Sequence, residues 1–254
     1  MLKEDRRAII LTELNKNKSI TIKSMAEKLS VSLETIRKDI KEFEKSGLVE
    51  QVYGGAILIE SQGFQPIALR ENTNIAAKNQ IGILAAEYVS DGDTIFVDAS
   101  TTCLHFMRCL SKDVSKHVTV ITNSLFIMSE MSKYSHLTIL GTGGIVNTSS
   151  TECIGKIAEE NISSLHAEKV FFSSTGFDSA QGATSSRGLE ADIQRKMLSH
   201  AKTVFYLVDS SKFGRIGYSP ICPVDHMDYL ISDSPLPEEW KKVVISCGVT
   251  IITP

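Results

Sequence analysis

Cysteine is sparse and unpatterned in this chain: Cys103, Cys109, Cys153, Cys222 and Cys247 are odd in number, scattered, and include no CxxC pair. That excludes a disulfide framework and a clustered zinc site, and free thiols in a reducing compartment are the simplest reading. The six histidines are equally dispersed, so neither a metal nor a cofactor is expected. No apolar run approaches the ~18 to 20 residues needed to span a bilayer. The opening MLKEDRRAII holds no hydrophobic signal core. A cytoplasmic protein with no membrane partner is expected. One-sided charge is missing too, since the formal net charge is only −3, which by itself does not mark a nucleic-acid binder.

What is present is an ordinary globular balance, with 42% hydrophobic and 22% charged residues, enough for a sizeable core. The 254 residues fit one large domain, or a small one attached to one of about 150 to 200 residues. Charge divides unevenly along them. Residues 1 to 55 carry 11 Lys and Arg against 9 Asp and Glu, and the remainder 16 against 21. A small basic module carried by a larger acidic domain fits that asymmetry.

Three short helical patterns open the chain. The first, over about residues 4 to 16, sets Ile10, Leu11 and Leu14 on one face. The second begins after Thr21, an N-cap residue, and presents Ile22, Met25, Ala26 and Leu29. The third begins after Ser32 and runs to Ser46, with Gly47 as its stop. Only Ser30, Val31 and Ser32 separate the second from the third, the tight turn of a helix-turn-helix. Ile36, Ile40 and Phe43 form a buried stripe on the third helix, and the opposite face carries Glu34, Lys38, Lys41 and Lys45. A recognition helix reads base edges with its N-terminal half and holds phosphates with cations farther along. Ser32, Leu33, Glu34, Thr35, Arg37 and Lys38 are therefore the candidate DNA contacts in that half, with Arg37 suited to a bidentate guanine contact and Lys41 to a phosphate. The segment LVEQVYGGAIL then reads as a β-hairpin wing, with Gly54 and Gly55 supplying positive backbone dihedrals and Tyr53 placed against a phosphate or sugar.

The run SVSLETIRKDIKEFEKSGLVEQVYGGA resembles the helix-turn-helix signature of DeoR-type bacterial transcription regulators, whose usual form is VSxxTIRRDLxxLExxGxxxRxHGGA. Val31, Ser32, Thr35, Ile36, Arg37, Asp39, Gly47, Gly54 and Gly55 stand at the matching positions. Lys38 replaces the common second arginine, keeping the charge but losing the planar fork, and Gln51 and Tyr53 replace the usual Arg and His of the wing. The resemblance implies binding to double-stranded operator DNA. Helix-turn-helix modules usually read paired half-sites, so a homodimer or homotetramer is expected.

Residues 58–75, with Pro66, read as a linker carrying one helical turn. From Ala76 onward helices and short β-branched strands alternate: a helix near 76–89, TIFVD, a helix near 101–111, VTVIT, a helix from Ser124, LTILG, KVFFSST, a helix near 187–201, TVFYLVD, YLISD, a helix from Pro237, and VTIIT. That alternation predicts an α/β domain with a mostly parallel sheet covered on both faces. Ligands on such sheets bind beyond the carboxyl ends of the strands. Standing there are Asp98, Ser100, Thr101 and Thr102 before a helix; Asn123 and Ser124; Gly143 and Gly144; Gly176 and Asp178; and Ser210, Ser211 and Lys212. Five loops on one rim offer amides and hydroxyls for a phosphate, carboxylates and an amide for sugar hydroxyls, and one ammonium. Singly, each has a plainer role: Ser100, Thr101 or Asn123 as a helix cap, Asp98 or Asp178 closing a turn, Lys212 as a solvated charge.

This half also resembles the DeoR-type family, whose DxGTT, TNS, GG, GxD and DxSKFG are matched in order by DASTT, TNS, GG, GFD and DSSKFG. The resemblance implies a fold similar to ribose-5-phosphate isomerase and CoA-transferase domains, and a phosphorylated-sugar effector. Ser100, Thr101 and Thr102 would then cradle the phosphate, and Asp98, Asn123, Asp178 and Lys212 would reach the sugar. Ser100 departs from the usual glycine.

The competing class is a sugar-phosphate isomerase-like enzyme carrying a DNA-binding module. Isomerisation needs a carboxylate base beside the reacting carbon and groups that stabilise an enediolate. Ser179 stands where the isomerase loop carries a further acid, SAQGATSSRG does not match the isomerase's basic glycine-rich segment, and Glu190 falls on the following helix. Fold similarity does not transfer catalysis without the site, so a regulator and not an enzyme is expected. Gly141-Thr142-Gly143-Gly144 lacks the spacing of a nucleotide-binding loop. The expected organisation is a winged helix-turn-helix over 1–57, a linker over 58–75 and a sugar-phosphate-sensing α/β domain over 76–254.

Overall fold

The computed structural model describes the backbone of residues 2–45, 49–58 and 67–254. The predicted stop of the third helix at Ser46 and Gly47, and linker residues 59–66 with Pro66, lie outside the described residues. The chain separates into two compact units, Met1–Thr73 and Asn74–Pro254.

The first unit contains α1 (Lys3–Asn17), β1 (Ser19–Thr21), α2 (Ile22–Leu29), α3 (Leu33–Lys45), β2 (Val49–Val52), β3 (Gly55–Leu58) and α4 (Ile67–Glu71). The Thr21 side chain accepts the Ser24 amide at 3.1 Å and so caps α2. Ser30 adopts the left-handed conformation, φ 52° and ψ 46°, and turns the chain sharply into α3. Ile10, Leu14, Ile36, Ile40, Val49 and Ala56 are fully buried where the three helices meet the hairpin. The sheet has the order β1-β3-β2. Its first strand is too short, at three residues, to leave a period in the sequence. Gly54 has φ +78° in the two-residue turn, as a tight hairpin requires. Gly55 departs from expectation: it lies in the extended strand β3, and its constraint is closeness, since a Cβ there would stand 2.2 Å from the Ile20 carbonyl oxygen.

The second unit runs α5 (Ile75–Ala86), β4 (Thr94–Val97), α6 (Thr101–Leu110), β5 (Val118–Thr122), α7 (Leu125–Met131), β6 (Leu137–Gly141), β7 (Ile145–Asn147), β8 (Glu152–Ile154), α8 (Lys156–Ser163), β9 (Ala167–Phe172), β10 (Gly176–Asp178), β11 (Gly182–Ser185), α9 (Gly188–Ser199), β12 (Ala201–Val208), β13 (Ser219–Cys222), β14 (Tyr229–Ser232), α10 (Glu238–Ser246) and β15 (Thr250–Ile252). Seven strands form one sheet, ordered β15-β14-β12-β9-β4-β5-β6, and every pairing in it is parallel. Alternation along the strands fills both faces. Phe171, Phe205 and Ile231 pack with Ile81 and Phe106 on one side; their neighbours Phe172, Tyr206 and Leu230 pack with Ala158, Met197 and Val244 on the other. The rings of Phe171 and Phe205 stack at 4.7 Å, and those of Phe205 and Tyr229 at 4.5 Å.

Two features depart from the sequence reading. The hairpin β7–β8 and helix α8 fill the stretch between LTILG and KVFFSST. Gly176 and Asp178, expected in a loop, lie in β10, which pairs with β11 and through it with β13 in a second, antiparallel sheet. Three-residue strands carry too few side chains for alternation to be visible.

Candidate functional site

In the first unit, α3 is held by its buried side. Asp39 is 1% exposed and accepts from Arg6 Nε at 2.6 Å and from Arg7 Nε at 3.4 Å. Arg7 also pairs with Glu42. The clamp ties α1 to α3 and fixes the angle at which the opposite face is presented. The Ser32 hydroxyl accepts the Thr35 amide at 3.1 Å and lies 2.8 Å from the Thr35 hydroxyl, starting the helix. Leu33, Glu34, Arg37, Lys38 and Lys41 then project to solvent, with Thr35 half-buried among them. Arg37 Nη1 sits 3.6 Å from Glu34 Oε2, and both side chains are more than half exposed. Such an exposed pair holds weakly. Tyr53 stands fully exposed at the tip of the hairpin beside Gly54, while Glu44 accepts the Gln51 amide at 3.1 Å and anchors the outer strand β2 to α3.

In the second unit the loops of the predicted rim that carry Asp98, Asn123, Gly143 and Lys212 follow the carboxyl ends of parallel strands, whereas Gly176 and Asp178 lie in the separate sheet of β10, β11 and β13. Asp98 is 1% exposed: Oδ1 accepts the Ser100 amide at 2.9 Å, and Oδ2 accepts the Ser173 amide at 3.1 Å and Gln194 Nε2 at 2.6 Å. It braces the ends of β4 and β9 against α9. The Ser100 hydroxyl caps α6 by accepting the Cys103 amide at 3.1 Å. Thr101 and Thr102 follow, buried, at the turn whose amides a helix leaves without intrahelical partners. Lys212 reaches in from the β12 loop. Its ammonium donates to the Ser173 hydroxyl at 2.9 Å and lies 3.5 Å from Asp209 Oδ2, and Ser173 Oγ is 3.5 Å from Thr102 Oγ1. The β12 loop and the first turn of α6 thus meet on the Ser173 hydroxyl.

Burial alone would raise the Asp209 carboxyl; Lys212, the Ser211 and Asn74 hydrogen bonds and Lys78 outweigh it and hold the group below the ordinary carboxylate range. Burial, reinforced by Asp98, pushes the Cys103 thiol well above its ordinary value, so that cysteine is packing, not a nucleophile.

A second cluster continues the rim. Asn123 Nδ2 donates to Glu152 Oε2 and to the Cys153 carbonyl, both at 3.2 Å. Glu152 lies 3.6 Å from Arg187, which is 3.5 Å from Glu190, and Glu190 accepts from the Ser185 hydroxyl at 3.1 Å. Ser124 caps α7 through the Ile127 amide. Gly144, at φ +116°, leaves no room for a side chain: a Cβ would come within 2.8 Å of the Ile154 carbonyl oxygen. Gly143, at φ +65°, shapes the same turn. Gly176 admits the Arg215 carbonyl in the same way, with a Cβ 2.1 Å from it. Asp178 closes the β10–β11 turn by accepting the Ala180 and Gln181 amides at 2.9 and 3.1 Å.

Sequence reasoning passed over Asn74, Lys78, Glu152, Ser173, Arg187, Gln194 and Asp209 as contributors to these clusters. Asp209 stands inside DSSKFG; Lys78 and Gln194 lie in helices, Glu152 in a strand of three residues, and Asn74, Ser173 and Arg187 in the turns between elements, where no period marks them. Among the described residues, no group of His, Cys, Asp or Glu could hold a metal ion.

Comparison with known proteins accounts for both units. Residues 6–62 match the DeoR-like helix-turn-helix domain, and residues 73–234 match the DeoR C terminal sensor domain. The chain belongs to the DeoR family. It is 33% identical over 237 residues to the uncharacterized HTH-type transcriptional regulator YulB of Bacillus subtilis (strain 168), covering 93% of this chain and 91% of that protein. It is 32% identical to the HTH-type transcriptional repressor GlcR of the same organism, covering 92% and 89%. A ribose 5-phosphate isomerase A from Neisseria gonorrhoeae superposes on 54% of this chain and 52% of its own, with a TM-score of 0.40 and 13% identity. As a DeoR-family protein the chain is a transcription regulator with an N-terminal DNA-binding domain and a C-terminal sensor domain, and the regulator reading stands over the enzyme reading. The Asp98 and Lys212 clusters both fall within the matched sensor domain. No helix among the described residues is long and apolar enough to cross a membrane.

Proposed function

We propose that this regulator represses a carbohydrate-utilisation operon in the cytoplasm, as a homodimer or homotetramer, and that a phosphorylated sugar bound at the sensor rim modulates its grip on operator DNA. The observation that carries the reading is Lys212, a largely buried ammonium held beside the first turn of α6, where helix amides and the helix dipole favour an anion. In this reading Lys212, Thr101, Thr102 and the capping residue Ser100 take the phosphate. Asn123 faces the sugar hydroxyls, Asp98 and Asp178 hold the loops in place, and Ser124, Gly143, Gly144 and Gly176 shape the backbone around the ligand. On DNA, Ser32, Leu33, Glu34, Thr35, Arg37 and Lys38 face the major groove, and Lys41, Tyr53 and Gly54 face the phosphates. A small change in the spacing of two reading heads is enough to lose operator affinity, because half-sites lie about 34 Å apart or a multiple of that.

The test is a thermal-shift screen against phosphorylated sugars. A sugar phosphate should raise the unfolding midpoint of the unaltered protein and leave Lys212→Ala and Thr101→Ala unmoved. Turnover of ribose 5-phosphate by the unaltered protein would contradict the reading.

A further inference from the structure

We infer that Asn74 is a positioning residue that fastens the Lys212 loop to the first turn of α5, and that this fastening carries the state of the Lys212 site to the junction with the DNA-reading unit. The geometry of the fastening is independent of the ligand proposed above; its use in regulation rests on that reading. Asn74 is the first residue of the second unit and the N-cap of α5. An asparagine in that place ordinarily turns its side-chain oxygen onto the amides of its own helix, but here the side chain makes no cap hydrogen bond. It reaches across the fold instead. Nδ2 donates to Asp209 Oδ1 at 3.1 Å and to the Ser211 hydroxyl at 2.9 Å, residues 135 and 137 positions farther along the chain.

The backbone is shaped for that reach: Asn74 has φ 55° and ψ 39°, a left-handed conformation that most side chains avoid and asparagine tolerates. The Asn74 carbonyl still accepts the Lys78 amide at 3.0 Å and starts the helix. Lys78, one turn on and 4% exposed, adds its charge to those holding Asp209 ionised.

The contacts run without a break from Asn74 to Asp209, Lys212, Ser173 and Thr102. An anion arriving at Lys212 competes with Asp209 for the ammonium and repels its carboxylate. Asp209 and Ser211 are the two groups Asn74 holds, so the displacement reaches the residue at which the second unit begins.

The experiment is hydrogen–deuterium exchange on the full chain, with and without inorganic phosphate, comparing the unaltered protein with Asn74→Gly and Asn74→Asp. Glycine keeps the left-handed backbone and removes the donor. Aspartate keeps the size and tolerates the backbone but cannot donate. In both variants the Lys212 and Phe213 amides should exchange several-fold faster without phosphate. In the unaltered protein phosphate should change exchange over residues 209–213 and 72–78 together; in the variants it should act on 209–213 alone. Equal exchange at Lys212 and Phe213 in all three proteins overturns the fastening. A phosphate response at 72–78 that survives in both variants overturns the transmission. If phosphate changes nothing over 209–213 in the unaltered protein, the anion reading of the site and the transmission fall together, while the phosphate-free comparison still decides the fastening.

Discussion

Two buried aspartates do structural work that their position in a motif does not announce. Asp39 belongs to the helix-turn-helix signature, yet it is buried on the side of α3 away from Arg37, Lys38 and Lys41 and takes its hydrogen bonds from Arg6 and Arg7. Asp39→Asn should lower the unfolding midpoint of the N-terminal unit by about 5 °C, the scale on which ~1 kcal/mol moves a domain this small, as read by calorimetry. Asp209 makes a prediction about acid. Its folded pKa lies below the unfolded value of about 3.9, so the stability it supplies is fully present above that value and is lost as pH falls through the folded pKa. Asp209→Asn should therefore be less stable than the unaltered protein at neutral pH, and the difference should shrink toward pH 3 in a series of denaturant melts. A constant difference across that range would remove the carboxylate charge as the cause.

At the scale of elements, the proposed reading gives α3 two tasks along its length. Arg37→Ala should cost about 1 to 3 kcal/mol in operator binding and relax sequence preference, whereas Lys41→Ala should weaken all sequences alike and flatten the salt dependence. Gel-shift titrations at several salt concentrations, on operator and on unrelated DNA, separate the two. The helices and the long parallel strands were legible because their periods repeat: Ile36, Ile40 and Phe43 mark one face of α3, and the run VFYLV marks a strand buried on both sides. β1, β7, β8, β10, β11 and β13 were not legible, because strands of three or four residues show no period and these lack the apolar runs that marked TIFV and YLIS. The double glycine of the wing was legible as a turn, but only one of its residues needs a positive dihedral; the other is set by the approach of Ile20.

For the whole molecule, the order of parts was readable: a basic reader first, an acidic sensor behind it, with the family motifs DASTT, TNS and DSSKFG marking the carboxyl ends of β4, β5 and β12. What the sequence withheld was the wiring between those motifs. Ser173 joins Lys212 to Thr102, Gln194 joins α9 to Asp98, and Arg187 joins Glu152 to Glu190. Apart from Arg187 and Glu190, three positions apart, these partners are far apart in the chain and match no local pattern, so only the folded sheet brings them together. The central claim is that an anion held at Lys212 changes operator binding. The most direct measurement is a fluorescence-anisotropy titration of labelled operator with the full chain, with and without a sugar phosphate found by thermal shift, repeated for Lys212→Ala. The sugar phosphate should move the operator midpoint of the unaltered protein, and Lys212→Ala should bind operator normally but not respond. An unaltered protein that binds the sugar phosphate with no change in operator affinity, or a Lys212→Ala variant that responds in full, would contradict it.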